Sequence, residues 1–600
     1  MVGREYDLVG NPLGAVRSTF EKAIEAGGSN PEPSFLIDGK DWGATQLFHQ
    51  FLLDQPSALS QIPILDRTSL PHLQPNTLVR YRGMVQDMLG NEFYVGVHKN
   101  GEGSWTTNKF TDVSHLPLGT LSENTRIWER RLLYCVPVPG QNLWAESYSE
   151  SVTSPCSNVM SPHGEKRSRD DCEDMDFQAS DQDFQGSTSA KKMRENMHCP
   201  LLLRSEEHIL HGSTSNSDMV PFDIKSLSCL VKIYDTLESE LKLNDVFEFV
   251  GLLTFDTKLA AEDDTCDELC EDELVHLPPR KVPRLHCIVH RKLAIHDFLS
   301  ASLTLEPKSS LVKGVRESLL KHLTSVLGND DLAAQFMLMH LLSGVHTRFG
   351  LVAIGKLSLN LTCFSKEILT VFGNRIKVAV ANLVPFTMCM PLTIDHLNSA
   401  SLAPAKDYQT NRLVSGPLQL SEGTHLIVDA TELQTGTLNS VGVENVRLLK
   451  TLLESQKVDY DFKYYKMEMA ADAQVLILSE GKSNILPADV ILPFHPQAPG
   501  VSEYVDMEAL KAWRCYLATF RSLQHSIDSE MQKIVEDDLV AARQSDRSLG
   551  SSDFSRLLTM SRLVSISFGE TCLSLEHWQM VMEMERLRRE RSKPKIVIGH

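Results

Sequence analysis

The sequence lacks any uninterrupted apolar run long enough to cross a bilayer, and residues 1–11 carry charges and no apolar stretch of signal-peptide length. These absences predict a soluble chain that stays inside the cell. Cysteine is sparse: twelve lie scattered over 600 residues without the dense, regular spacing of a disulfide scaffold, so reduced thiols are expected. Basic charge is outweighed, with 59 Lys and Arg against 78 Asp and Glu and a formal net charge of −19. A protein whose main task is to coat nucleic acid draws on clustered cations to displace counterions, and this balance argues against that task without excluding a local basic patch. No grouping of Ser, Cys and His carries the local pattern of a nucleophile with its base.

What is present is an ordinary globular mixture, 42% hydrophobic and 23% charged, on a chain long enough for more than one core. Its patterning predicts a mixed α/β multidomain fold. Residues 1–148 read as a helical plus β-rich domain, with helices over 16–26 and 44–53, a hairpin of 77–88 and 92–97 across a Leu-Gly-Asn turn, and a strand over 131–136 stopped by Pro137. Residues 149–218 shift to Ser, Asp, Glu, Gln and Lys with few aromatics, which predicts a disordered linker. Two basic clusters within it, Lys166, Arg167 and Arg169, then Lys191, Lys192 and Arg194, are candidates for nuclear import, a solvated charge run being the plain alternative. Residues 219–300 hold short strand-like runs at 229–234, 245–253 and 284–290, which fit a small OB-like barrel or a sandwich fragment, with an acidic loop over 261–273. In residues 301–545 helices alternate with buried-type strands at 357–361, 424–429 and 474–479, as in an α/β domain. Residues 546–600 form a helical end, strongly charged on one side over 576–591.

The strongest chemical pattern is Gly350, Gly355 and Lys356, at the spacing of a phosphate-binding loop. Leu357 stands where Ser or Thr would bind magnesium, and the residues after it alternate like a strand instead of opening a helix whose N-terminus holds phosphate. A second partial match, Gly481, Lys482 and Ser483, has Leu476 in place of its first glycine and Pro487 close behind. The run from Leu426 to Asp429 is like the strand and magnesium-binding Asp of a Walker B element, but Ala430 follows where hydrolysis needs an acid, and Glu432 stands two residues further on. The plain alternatives are a turn after a buried strand and a core strand with a polar end. Cys266 and Cys270 with His286 and His290 approach zinc-ligand spacing, but the cysteines fall in the acidic loop and the histidines are expected on the solvent face of a strand. No residue is therefore assigned to catalysis, a cofactor or a metal.

Several strings resemble one family, the minichromosome maintenance (MCM) complex-binding proteins. They are Asn11 to Gly14, Val85 to Met88 with Glu92 to Tyr94, Tyr134 to Gly140, Lys406 to Tyr408 with Asn411 to Gly416, Gln456 to Phe462, Leu486 to Asp489, and Glu583 to Arg591. They run in the family's order along nearly the whole chain, and the linker and acidic loop match poorly, as surface segments do. The resemblance implies a nuclear protein, not an enzyme, that binds several of the six MCM helicase subunits in place of one of them. It implies a role in assembling or unloading the helicase during DNA replication and the cell cycle, another in sister chromatid cohesion at mitosis and cell division, and only indirect contact with chromatin. No cofactor, membrane or small-molecule substrate is implied. It further implies that the upstream β-rich parts echo the OB region of MCM subunits and that the C-terminal α/β domain is a degenerate AAA+ core, a pseudo-ATPase with Arg562 to Trp578 in its lid.

Two other classes compete. An OB-type single-stranded nucleic-acid-binding protein would use Arg80, Tyr81, Arg82, Phe93 and Tyr94 as a basic, aromatic groove. An ATPase would lose turnover on Lys356→Ala. For the partner surface, the stretch from Glu583 to Arg591 is the local candidate, against a solvated terminal helix.

Overall fold

The strand-forming runs before and after residues 146–226 join in one sheet. Strands β1 (Leu78–Lys99), β2 (Trp105–Thr107), β3 (Thr125–Val136), β4 (Cys229–Ile233), β5 (Val246–Thr254) and β6 (Arg284–Lys292) stand in the order β2-β1-β3-β4-β6-β5, and β5 pairs back onto β1 to close a barrel. Every pairing is antiparallel except that of β4 with β6. This computed structural model describes residues 7–26, 39–54, 56–101, 103–112, 124–145, 227–254, 282–299, 309–350, 352–363, 365–481, 485–497 and 505–593. The expected linker, both basic clusters, the acidic loop, Cys266, Cys270, Lys482 and Ser483 lie outside the described residues.

Two sequence expectations change here. The β-rich parts of residues 1–148 and 219–300 are not separate domains, because β3 pairs with β4 and β1 pairs with β5. Neither part holds enough strands to close a barrel by itself. The expected hairpin at 77–97 is instead a single continuous strand. Leu89 is an extra residue opposite β3, and Gly90, at φ +93°, takes up the resulting bulge. The left-handed conformation that Gly provides serves a turn and a bulge equally, so the local sequence did not separate them.

Inside the barrel Val79, Tyr81, Val85, Leu133, Cys135, Phe249 and Leu285 form one buried cluster. On its outer face, helices Pro12–Ala26 and Ala44–Leu52 pack Val16, Phe48 and Leu52 against Leu78, Leu252 and Ile288.

The second half is built on a fully parallel sheet. After a small hairpin of β7 (Thr347–Phe349) and β8 (Val352–Ile354) come β9 (Leu359–Cys363), β10 (Thr387–Pro391), the short strands β11 (Ala405–Asp407) and β12 (Arg412–Val414), then β13 (Thr424–Ala430), β14 (Lys457–Asp461), β15 (Lys466–Ala470), β16 (Ala473–Glu480) and β17 (Val490–Pro493). The parallel sheet has the order β10-β13-β16-β9-β17, and β12-β11-β14-β15 form a smaller sheet beside it.

Strands buried on both faces need continuous apolar runs, and β13 and β16 have them. Ile427, Leu476 and Leu478 pack with Phe336, Leu369 and Trp578 of three helices on one face. Leu426, Val428, Val475 and Ile477 pack with Leu448 and Leu452 on the other. Each fully buried side chain of this size contributes about 1.5–3 kcal/mol.

The barrel and the parallel sheet meet through polar contacts to main chain. Gln86 donates to the Leu413 carbonyl at 2.6 Å, the Leu413 N–H donates to Asp87 at 2.9 Å, and Arg412 pairs with Asp87 while lying 4.2 Å above the Tyr134 ring. Thr387 N–H donates to the Gly140 carbonyl at 2.7 Å, and the Trp144 indole donates to Ala381. Three of the family-like strings, around Val85, Tyr134 and Asn411, are thus the joint between the two halves. Nothing local marks these strings as a joint, because their partners lie some 300 residues away.

Candidate functional site

In open parallel sheets, ligands bind outside the carboxyl ends of the strands where the strand order reverses, here beside β9 and β16. The chain leaves β9 at Cys363 and enters helix Lys366–Leu383 after two residues. Ser365 caps that helix through the Ile368 N–H. So short a turn has no room for a glycine-rich loop around phosphates.

Asp429, the Walker B-like residue, is also engaged. Lys377 donates to it at 2.7 Å, and the Thr431 hydroxyl and N–H donate to its other oxygen at 2.6 and 3.1 Å. Burial by itself pushes this carboxyl up, but the bonds from Lys377 and Thr431 outweigh it and hold the group below the usual carboxylate range. Ala430 is buried in the core, so no acid stands beside Asp429 in the strand.

The phosphate-loop lookalike lies elsewhere. Gly350 turns the exposed β7–β8 hairpin at φ +59°, and Gly355, at φ +99°, lets the chain pass close to His346, whose ring a side chain there would meet at 2.2 Å. Lys356 is paired with Asp489 at 2.7 Å, and Asp489 also accepts the Ser358 N–H and hydroxyl. The glycines serve local geometry and the lysine an ion pair. Gly481 donates its N–H to the Cys363 carbonyl, as a turn after a buried strand.

The expected solvent-face histidines are covered. His286 is fully buried, with Nδ1 2.6 Å from the Tyr234 hydroxyl and Nε2 3.1 Å from Asp112. Asp112 also receives Arg130 at 2.6 Å and Lys232 at 2.8 Å. Burial pushes the Asp112 carboxyl up, but His286, Lys232 and Arg130 together hold it well below its ordinary range. His290 packs against Phe247 and Phe249. Strand alternation placed His286 off the barrel interior correctly, but the partners that cover it come from distant segments.

The groove residues offered for nucleic acid divide. Arg80 is buried and 3.8 Å from Glu248, Tyr81 is buried with its hydroxyl donating to Leu227 and Cys135 carbonyls, and Arg82 shares Glu248. Phe93 is exposed. No basic, aromatic groove results from these five.

The stretch from Glu583 to Arg591 is neither free nor merely solvated. Arg556, Arg588 and Arg589 converge on buried Glu585, and Arg591 grips fully buried Asp330 at 2.7 and 2.8 Å. Burial raises the Glu585 carboxyl, yet the three guanidinium groups bring it down to about 2. Only the Arg586 triplet with Glu583 and Glu590 stays at the surface.

An exposed aromatic cluster in the small sheet was not anticipated. Tyr464 and Tyr465 cap the β14–β15 hairpin with 78% and 54% of their surface exposed. Tyr408, beside β11, meets Tyr464 edge-on at 5.5 Å, and Phe462 stacks on Tyr465 at 5.0 Å. Tyrosine is enriched among the residues that carry binding energy near the centres of protein interfaces, and an exposed aromatic patch marks an interaction surface. In sequence they looked like strand residues.

The profile of the family described as mini-chromosome maintenance replisome factor matches residues 48–592. A mini-chromosome maintenance complex-binding protein of Arabidopsis thaliana is 54% identical, the match covering 99% of this chain and all of the relative. Proteins of the same name from Salmo salar and Homo sapiens are 36% and 34% identical, each match covering 98% of this chain and at least 97% of the relative. Family profile and full-length relatives agree with the strings noted in the sequence, and the chain belongs to the mini-chromosome maintenance complex-binding protein family.

Proposed function

We propose that this protein binds the MCM complex in the nucleus, takes the place of one regular subunit, and through that exchange regulates assembly or unloading of the helicase in DNA replication, with sister chromatid cohesion depending on it. The observation that carries the reading is the full-length similarity to proteins named for binding this complex. Subunit replacement has its own support. Numbered in chain order, the five parallel strands stand 5-1-4-3-2 across the sheet, the arrangement of AAA+ ATPase cores. Ahead of them lies a five-stranded barrel with one parallel pairing, which suits an OB-type domain. A chain shaped like a subunit, with a two-residue turn in place of the phosphate loop, would fill a subunit's position without ATP chemistry. The basis of this step is fold analogy.

The alternative of a single-stranded nucleic-acid binder gains nothing from the barrel, since Arg80 and Tyr81 are internal. For contact with the complex, the favoured surface is the cluster of Tyr408, Tyr464 and Tyr465.

Affinity capture from nuclear extract tests the proposal. The full chain is expected to recover MCM subunits lacking one of the six, and Tyr464→Ser with Tyr465→Ser to recover at least tenfold less while folding normally. Recovery of no MCM subunit would overturn the binding reading. Recovery of all six in equal amounts would overturn replacement.

A further inference from the structure

At the opposite, amino edge of the parallel sheet, a cleft of about 310 Å³ opens between the sheet and the barrel. Its walls include Val246 and Lys292 from the ends of β5 and β6, Asp472 ahead of β16, His346 ahead of β7, and Arg521 and Arg562 from helices Met507–Arg521 and Ser551–Ser567. Most of its charges are matched: Lys292 with Asp245 at 2.9 Å, Arg521 with Asp472 at 3.1 Å. Glu422 stands exposed at the rim.

Arg562 is the exception. It is 9% exposed, and its single hydrogen bond among the described residues runs to the Leu523 carbonyl at 3.2 Å. Among those residues no carboxylate stands within ion-pair distance of it. A guanidinium taken out of water without a counter-charge is costly, and proteins keep such an arrangement where something else supplies the charge. Two imidazoles lie in its field. His346 lines the same cleft, and His525 has a buried Nε2 with no hydrogen-bond partner among the described residues. Partial loss of hydration first, and the Arg562 charge second, hold both histidines below the ordinary imidazole range, His525 at about 4.

We propose that Arg562 anchors an oxyanion site in this cleft, its guanidinium fork taking two oxygens of a phosphate group, with His346, which lines the same cleft, as a further donor. The fork matches phosphate geometry, and a dianion would neutralise the unmatched Arg562 and draw protons onto the neighbouring rings. This site lies across the sheet from the carboxyl edge and is independent of how the MCM complex is bound.

The experiment uses the full chain and inorganic phosphate, with acetate and chloride at equal pH and ionic strength. In the parent, phosphate is expected to raise the Tm by several degrees more than either other anion. Arg562→Gln should abolish the phosphate-specific rise while melting no lower than the parent in chloride, because it removes an unmatched buried charge. His346→Ala, at an exposed position that does not threaten folding, should weaken phosphate binding by about threefold to tenfold in calorimetric titration. No phosphate-specific effect in the parent overturns the proposal. So does an equal effect in all three proteins, or an Arg562→Gln chain that melts well below the parent in chloride, which would make Arg562 a structural donor to Leu523. An acetate effect as large as that of phosphate overturns the phosphate assignment.

Discussion

The two edges of the parallel sheet treat charge in opposite ways. At the carboxyl edge, Asp429 holds Lys377 and Asp330 holds Arg591, each at 2.7 Å. At the amino edge, where Arg521 pairs with Asp472, Arg562 faces the same cleft with no carboxylate in ion-pair reach among the described residues. The edge where an ATPase would work has already satisfied its acids internally, and the other edge has an unmet requirement. Residual demand for a ligand is read from unmatched charge and space more reliably than from glycine and lysine spacing, since Lys356 matched the motif and turned out to be paired.

The contrast can be broken most forcefully at Asp330. This carboxylate holds Arg591, caps helix Asp331–Leu342 through the Ala333 N–H and accepts the His495 N–H. Asp330→Ala orphans a partly buried guanidinium and is expected to lower stability by about 3–5 kcal/mol in urea denaturation. A loss below about 1 kcal/mol would mean that ion pairs do not hold this edge.

A smaller effect tests the amino edge through pH. His340 and His425, both fully buried, face each other with their Nε2 atoms 3.0 Å apart. His340 Nδ1 donates to the Leu357 carbonyl, so its Nε2 accepts from His425 and both rings are neutral. Burial lowers both pKa values, that of His340 to about 4. With the folded-state value below the unfolded one, the stabilisation is complete above about pH 6.5 and is lost as pH falls toward 4, by about 3 kcal/mol for His340. Denaturation midpoints across that window should show the slope, and His340→Gln should flatten it. A parent whose midpoint does not move between pH 6.5 and 4 would contradict the buried neutral pair.

The smallest effect sharpens the contrast at Asp429. Asp429→Ala leaves Lys377 without its acid at a half-buried position and should cost about 1 kcal/mol. Equilibrium dialysis should detect no ATP on either protein. ATP bound by the parent and lost in the variant would reverse the assignment of the two edges.

Much of the fold was legible because burial on both faces writes itself into sequence. The apolar runs around Leu426 and Leu476 announced buried strands of an α/β domain, and Ser365 and Asp330 stand where helices begin. What stayed hidden was pairing at long range. Nothing near Cys135 says that Cys229 lies opposite it, so two β-rich parts looked like two domains. The same blindness affected the sites. His286 and Arg562 carry no local mark of burial, because Asp112, Tyr234 and the ends of β5 and β6 reach them from other parts of the chain. Exposed Tyr464 and buried Tyr460 stand four residues apart in one hairpin, and only packing separates them.

The closure of the barrel also sets a timetable. Strand β1 exposes a long hydrogen-bonding edge and the apolar side chains of its inner face; its partner β5 is complete about 155 residues after β1 ends, and the locking strand β6 about 190 residues after it. At a synthesis rate of about 5–20 residues per second, the first half of the barrel waits roughly 10–40 s on the ribosome for its other half. During that interval β1 and β3 can form only an open two-stranded ribbon, too small to be stable by itself and suited to sticking to its neighbours. An unfinished sheet of this kind is open to aggregation while the chain is being made, and slower translation lengthens the exposure.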